Sequence, residues 1–137
     1  MYTEISITPK LLHKIARDYV EKGLGGKNFD AIPYDENVSL RAPLSPGGSS
    51  QPLKGKENLR NVWWAPMPSL IGKVEVLNTF VSNDKKSAAV EFHCQILNPS
   101  CTLRIIDRLT VNEEGKITEQ ENFFDPRDVT NPSWKGQ

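Results

Sequence analysis

Ser87–Asp125 reads SAAVEFHCQILNPSCTLRIIDRLTVNEEGKITEQENFFD. Three alternating runs are separated by two turn clusters, Asn98-Pro99-Ser100 and Asn112-Glu113-Glu114-Gly115, a pattern that predicts a three-stranded antiparallel meander. In the middle run, Leu103, Ile105, Asp107, Leu109 and Val111 share one face, and Thr102, Arg104, Ile106, Arg108 and Thr110 share the other. Asp107 is therefore a carboxyl group in the centre of an apolar face. Burying it costs several kcal/mol unless it is hydrogen-bonded or protonated. The question of function begins with that residue.

A turn of roughly four residues pairs Leu97 with Thr102 and Phe92 with Asp107. Val90, Phe92, Cys94 and Ile96 then join Asp107 on the inner face. Glu91 lies across from Arg108 and Gln95 across from Arg104 on the outer face, where His93 sits beside Ile106. The second turn has two solutions. One places Gln120, Asn122 and Phe124 on the Asp107 side; a tighter three-residue turn places Glu119, Glu121 and Phe123 there instead.

Working outward, Thr8 is a candidate N-cap and Pro9 fits the first helical position. Leu12, Ile15, Ala16, Tyr19 and Val20 form one apolar stripe, and Gly23, with Gly25 and Gly26 behind it, is expected to end the helix. Tyr19 lies on that stripe, so its hydroxyl needs a partner inside, either a backbone carbonyl or a group in a pocket. Ile5 and Ile7 lead into this helix. Phe29 to Tyr34 suggests a short helical turn broken by Pro33, and Val38 to Leu44 a short strand. Residues 45–54 read as a flexible surface loop. Glu57 to Ala65 reads as a second helix ended by Pro66; of its adjacent Trp63 and Trp64, one is expected in the core and the other at a pocket mouth or subunit contact. Lys73 to Ser82 is a further strand. The tail, about 128–137, reads as loose, with Trp134 as a possible anchor. The expected architecture is one α+β domain over 1–137, with a strongly bent antiparallel sheet packed on N-terminal helices around a cone-shaped internal pocket.

Net charge is zero, with 17 basic and 17 acidic residues and no basic block. That balance gives no electrostatic basis for binding nucleic acid or an anionic membrane. No apolar run reaches the ~20 residues needed to span a bilayer, and the first ten residues have no signal-peptide core, so a cytoplasmic location is expected. Cys94 and Cys101 are read as free thiols. The chain lacks the clustered Cys and His of a zinc site, and neither metal nor cofactor is expected.

Element order from about Thr8 to Arg127 resembles the nuclear transport factor 2-like superfamily, in its SnoaL-like and ketosteroid isomerase-like branch. LRIIDRLTVNEEGKI is similar to the isomerase strand-turn-strand that carries an oxyanion-hole acid, and Asp107 falls on that acid; Tyr19 falls near the first-helix tyrosine that completes the hole. GKITEQENFFDPR is similar to the last strand of limonene epoxide hydrolases. The resemblance implies a cystatin-like cone, a hydrophobic ligand and pairing of two subunits through the outer sheet face. It also places the general base of the isomerases at Ala42 and the last-strand aspartate of the hydrolases at Asn122, neither of which can take a proton.

Three readings follow. In the first, the chain binds a small hydrophobic molecule, with Asp107, Tyr19, Gln120 and Asn122 as the polar groups and Phe92, Phe124 and Trp63 as apolar contacts. In the second it is an isomerase, cyclase or hydrolase of a hydrophobic carbonyl-type compound, with Asp107 and Tyr19 as catalytic residues and Asp107 the acid. In the third it is a dimeric interaction module with a vestigial pocket.

Overall fold

A computed structural model describes residues 6–130. Helix α1 spans Pro9–Asp18; Thr8 caps it by accepting a hydrogen bond from the Leu11 amide at 3.1 Å. Beyond Asp18 the helix does not stop at Gly23. It widens into a π-helical turn over Tyr19–Leu24, closed by the Gly25 amide donating to the Val20 carbonyl at 2.7 Å. Gly23 serves packing instead: a Cβ there would lie 2.6 Å from the Ile32 side chain. The widened turn buries Tyr19, Val20 and Leu24 together.

After a 3-10 turn at Phe29–Ala31, strand β1 runs Tyr34–Arg41, four residues earlier than its expected start at Val38. Strand β2 is the pair Leu53–Lys54. Residues between β1 and β2 form successive turns, and Arg41 donates to the Ser49 and Ser50 carbonyls at 3.0 and 2.9 Å. Helix α2, Lys56–Asn58, again widens into a π-helical turn, Leu59–Trp64, and α3 follows at Met67–Leu70. The meander is β3 (Ile71–Val81), β4 (Ser87–Leu97), β5 (Ser100–Val111) and β6 (Ile117–Phe123); α4 is a single turn, Arg127–Thr130. Ile5, Trp134 and the rest of the tail past Thr130 lie outside the described residues.

One six-stranded sheet orders these strands β2-β1-β6-β5-β4-β3. It is mixed rather than wholly antiparallel: β1 runs parallel to β6, with Leu40 beside Gln120. Register shifts within β3–β4 and β5–β6 mark irregularities of the kind that bend strands, and the sheet is strongly curled without closing. The β4–β5 turn is tighter than expected. Leu97 pairs with Ser100 and Asp107 with Val90, a register two residues from the one predicted. A two-residue shift preserves which face each side chain occupies. Val90, Phe92, Cys94, Leu103, Ile105, Asp107 and Leu109 all point inward, as expected. On the outer face the partners change: Arg104 sits across from His93, and Ile106 across from Glu91. Among the described residues no helix is long and apolar enough to cross a membrane.

Candidate functional site

Asp107 sits at the centre of β5, beside Asn122 of β6, and is 1% exposed. The π-helical turn ending α1 delivers the Tyr19 hydroxyl, which donates to Asp107 Oδ2 at 2.7 Å. The Tyr19 ring meets Phe92 of β4 edge to face, centroids 6.5 Å apart. Gln120 Nε2 donates to the Tyr19 oxygen at 3.0 Å and to Asn122 Oδ1 at 2.9 Å. Its own Oε1 accepts from the Tyr34 hydroxyl at 2.5 Å. Five side chains from four elements thus make one buried polar chain.

Burial is the dominant force on Asp107. It pushes the carboxyl up to about 8, against the opposing pull of the Tyr19 hydroxyl and the Phe123 backbone amide. Burial and the Asp107 charge raise Tyr19 and Tyr34 as well, so both phenols stay protonated. Cys94, also buried near Asp107, is pushed up to about 12 and is an inert thiol at neutral pH. Arg104 and Arg108, on the same strand, point to the outer face. Among the described residues no Lys or Arg pairs with the acid, and burial favours its neutral form.

A cavity of about 370 Å³ opens in front of this group. Its inner wall includes Tyr19, Phe92, Ile105, Asp107 and Asn122, and its outer part includes Trp63, Met67 and Phe124. None of the described residues lining it is Lys, Arg, His or Glu. Trp63 faces the cavity, while Trp64 is 6% exposed and packs on Phe29, centroids 5.6 Å apart. Gln120 is placed differently from Asn122. It lies behind Tyr19 and Asn122, 3% exposed, and touches the cavity only through them. Ala42 is fully buried and is not part of the cavity wall. The described residues contain no group of three or more His, Cys, Asp or Glu arranged to hold a metal ion.

Tyr34 was the member of the chain that the sequence reading missed. Its signal was an aromatic residue directly after Pro33 at the head of an alternating run, obscured by assigning Phe29–Tyr34 to a helical turn. Its partner Gln120 is 86 residues away and is reached through the parallel β1–β6 pair.

No family model and no curated protein matches the sequence. Among solved structures, the chain is similar to the epoxide hydrolase/cyclase-like enzyme SalBIII, which acts in pyran ring formation in the polyether salinomycin. The TM-score is 0.76 at 20% identity, over 90% of this chain and 97% of that one. It is similar to a steroid delta-isomerase from Pseudomonas aeruginosa, with TM-score 0.67 and 14% identity over 92% and 86% of the two chains. A Mycobacterium tuberculosis protein in complex with estradiol-17beta-hemisuccinate gives TM-score 0.65 and 17% identity over 82% and 93%. At these identities the likeness is one of fold, and the fold of this chain is the nuclear transport factor 2-like α+β cone.

Proposed function

We propose that the chain binds a small, neutral, mostly apolar molecule in the cavity, through a ligand oxygen that accepts a hydrogen bond from the acid at its base. One observation carries this reading: a buried carboxyl, with no cationic partner among the described residues, faces an apolar cavity. A neutral carboxylic acid is a hydrogen-bond donor, and in a dry site it favours a carbonyl, ether or epoxide oxygen over an anion. The steroid complex and a computationally designed 17-OHP binder among the structural neighbours support a hydrophobic ligand. Matched probes test it: at pH 7, 2-acetylnaphthalene should raise the melting temperature and 2-naphthoate should not. Stabilisation by the carboxylate alone would overturn it.

A second reading is favoured by the likeness to SalBIII. It is acid-promoted ring closure of a compound carrying its own hydroxyl nucleophile. Asp107 would give its proton to the departing epoxide oxygen, and the attacking hydroxyl would return one to the carboxylate, so no second enzymic base is required. This reading accommodates Ala42 and Asn122, which cannot act as bases. Turnover of an epoxy-alcohol probe by the wild type but not by Asp107→Asn would support it.

Pairing of two copies through the outer sheet face is part of the proposal. Leu77, Ile106 and Phe123 are 40%, 43% and 46% exposed there, among Glu91, His93, Arg104 and Arg108. An apolar centre with a charged rim suits a self-complementary contact about a two-fold axis.

A further inference from the structure

The Asn122 amide poses a pairing problem. The atom it turns toward Asp107 lies 3.1 Å from Oδ1, 3.3 Å from Oδ2 and 2.9 Å from Gln120 Nε2. If that atom is nitrogen, it can donate to a carboxylate, but it then confronts the Gln120 NH2 group, donor against donor. Turning Gln120 over cures that clash at two costs. Its oxygen would face the Tyr19 oxygen, whose proton is committed to Asp107, and its nitrogen would displace the acceptor that Tyr34 uses. If the atom is oxygen, Gln120 donates to it, Tyr34 donates to Gln120, and the remaining conflict is with the two carboxyl oxygens. One proton on Asp107, donated to Asn122 Oδ1, resolves it. The Tyr34 and Tyr19 hydroxyls, both ends of Gln120, Asn122 Oδ1 and the acid are then paired.

We propose that Tyr34, acting through Gln120, is a positioning residue that holds the Asn122 amide oxygen toward Asp107 and so keeps the acid's proton in place for an incoming ligand. The Tyr34 hydroxyl donates to Gln120 Oε1, fixing which end of that amide faces Asn122; Gln120 Nε2 then fixes Asn122. A ligand oxygen competes with Asn122 Oδ1 for the same proton, and Asn122 retains the Gln120 donor when it loses. The titratable groups facing Asp107 are Tyr19 from the end of α1, Tyr34 from β1 and Cys94 from β4. From β6 it meets the neutral amides Gln120 and Asn122. Among the described residues no facing group supplies a positive charge, so the direction of the Asn122 amide adds to burial in setting the protonation state.

This deepens the ligand reading but is tested on the ligand-free protein, so either can fail alone. The Asp107 carboxyl carbon is followed by 13C NMR from pH 5 to 10, assigned with Asp107→Asn. Tyr34→Phe keeps the ring and removes only the anchor. With the Tyr34 cost removed, Gln120 and Asn122 can turn together so that the Asn122 nitrogen faces the carboxylate, and the acid dissociation constant of Asp107 should rise by about tenfold or more. In an Asn122→Leu background, with no amide to turn, Tyr34→Phe should move the titration by less than twofold. Gln120→Met should reproduce that rise in the dissociation constant if Tyr34→Phe does not fold. The side-chain amide signals of Asn122 and Gln120 should also shift with the same midpoint as Asp107. An unmoved titration in both Tyr34→Phe and Gln120→Met overturns the proposal, as does an equal shift in the Asn122→Leu background.

Discussion

Replacing Asp107 by Asn tests the charge state on which the site depends. An asparagine copies the neutral acid: its oxygen accepts from Tyr19, and its NH2 group donates to Asn122 Oδ1. The unfolded chain titrates this carboxyl near 3.9, and burial lifts it to about 8 in the fold. The folded state therefore holds the proton more tightly than the unfolded state. Wild-type stability from this group is intact below the unfolded value, falls as pH climbs through the window between the two, and is level above the folded value. The slope is about 1.4 kcal/mol per pH unit, so the wild type gives up roughly 4 kcal/mol by pH 7 relative to a group that does not titrate. That is a ceiling, because side-chain relaxation and water penetration soften buried charges. It is still large beside the ~5–15 kcal/mol of a typical domain. Urea unfolding of both proteins at pH 5 to 9 measures the difference. The gap should move in favour of Asp107→Asn with rising pH and flatten near pH 8. A gap independent of pH, or a wild type that gains on the variant as pH rises, would mean a charged and structurally paired carboxylate and would refute the reasoning.

The two tryptophans should separate by assay. Trp64→Ala removes a buried ring and should cost roughly 3–5 kcal/mol in urea unfolding, whereas Trp63→Ala should leave stability within about 1 kcal/mol and weaken the thermal shift given by 2-acetylnaphthalene. Gly23→Ala should destabilise by about 1–3 kcal/mol because its Cβ meets Ile32; a neutral effect would show that Ile32 can yield. Ile106→Glu places a charge in the outer apolar patch, and light scattering should report a fall from dimer to monomer mass; a wild type that is monomeric at all concentrations sinks the pairing proposal.

The faces of the meander were legible because side-chain parity survives a register error. The β4–β5 turn differs by two residues from the expected length, yet Asp107 stays inward and Arg104 and Arg108 stay outward. The second turn took the longer of the two expected solutions, which put Gln120 and Asn122 on the inner face. Asp107 itself announced its site as a single carboxyl among aliphatic residues. Helix α1 was legible at its start, where Thr8 and Pro9 are local signals, but not at its end. Gly23 looks like a stop signal in isolation, and its reason for being glycine is Ile32, a contact that only the folded chain creates. Tyr34 and the parallel β1–β6 pair were hidden for a related reason: local alternation says nothing of which distant strand lies alongside. Trp63 and Trp64 were distinguishable as a pair, but their assignment needed the position of Phe29.

The parallel β1–β6 pair also bears on the order in which the protein assembles. The pairings among β3, β4, β5 and β6 are made by neighbours in the chain across short turns, which close quickly. The contacts of Tyr19 with Asp107 and of Tyr34 with Gln120 span 88 and 86 residues. Long loops must be closed before such contacts return any stability, and that slows their formation. The meander is expected to form first, leaving the acid exposed and fully able to ionise, and α1 and β1 to dock on it late. Pulse-labelling hydrogen exchange during refolding should then protect β4 and β5 amides before those of β1; simultaneous protection would rule this order out. Because late docking is also what removes Asp107 from water, raising the pH from about 5 toward 8 should slow this final step more than the formation of the meander, with no further slowing above that. The same acid that equips the cavity would then act as a gate on its completion.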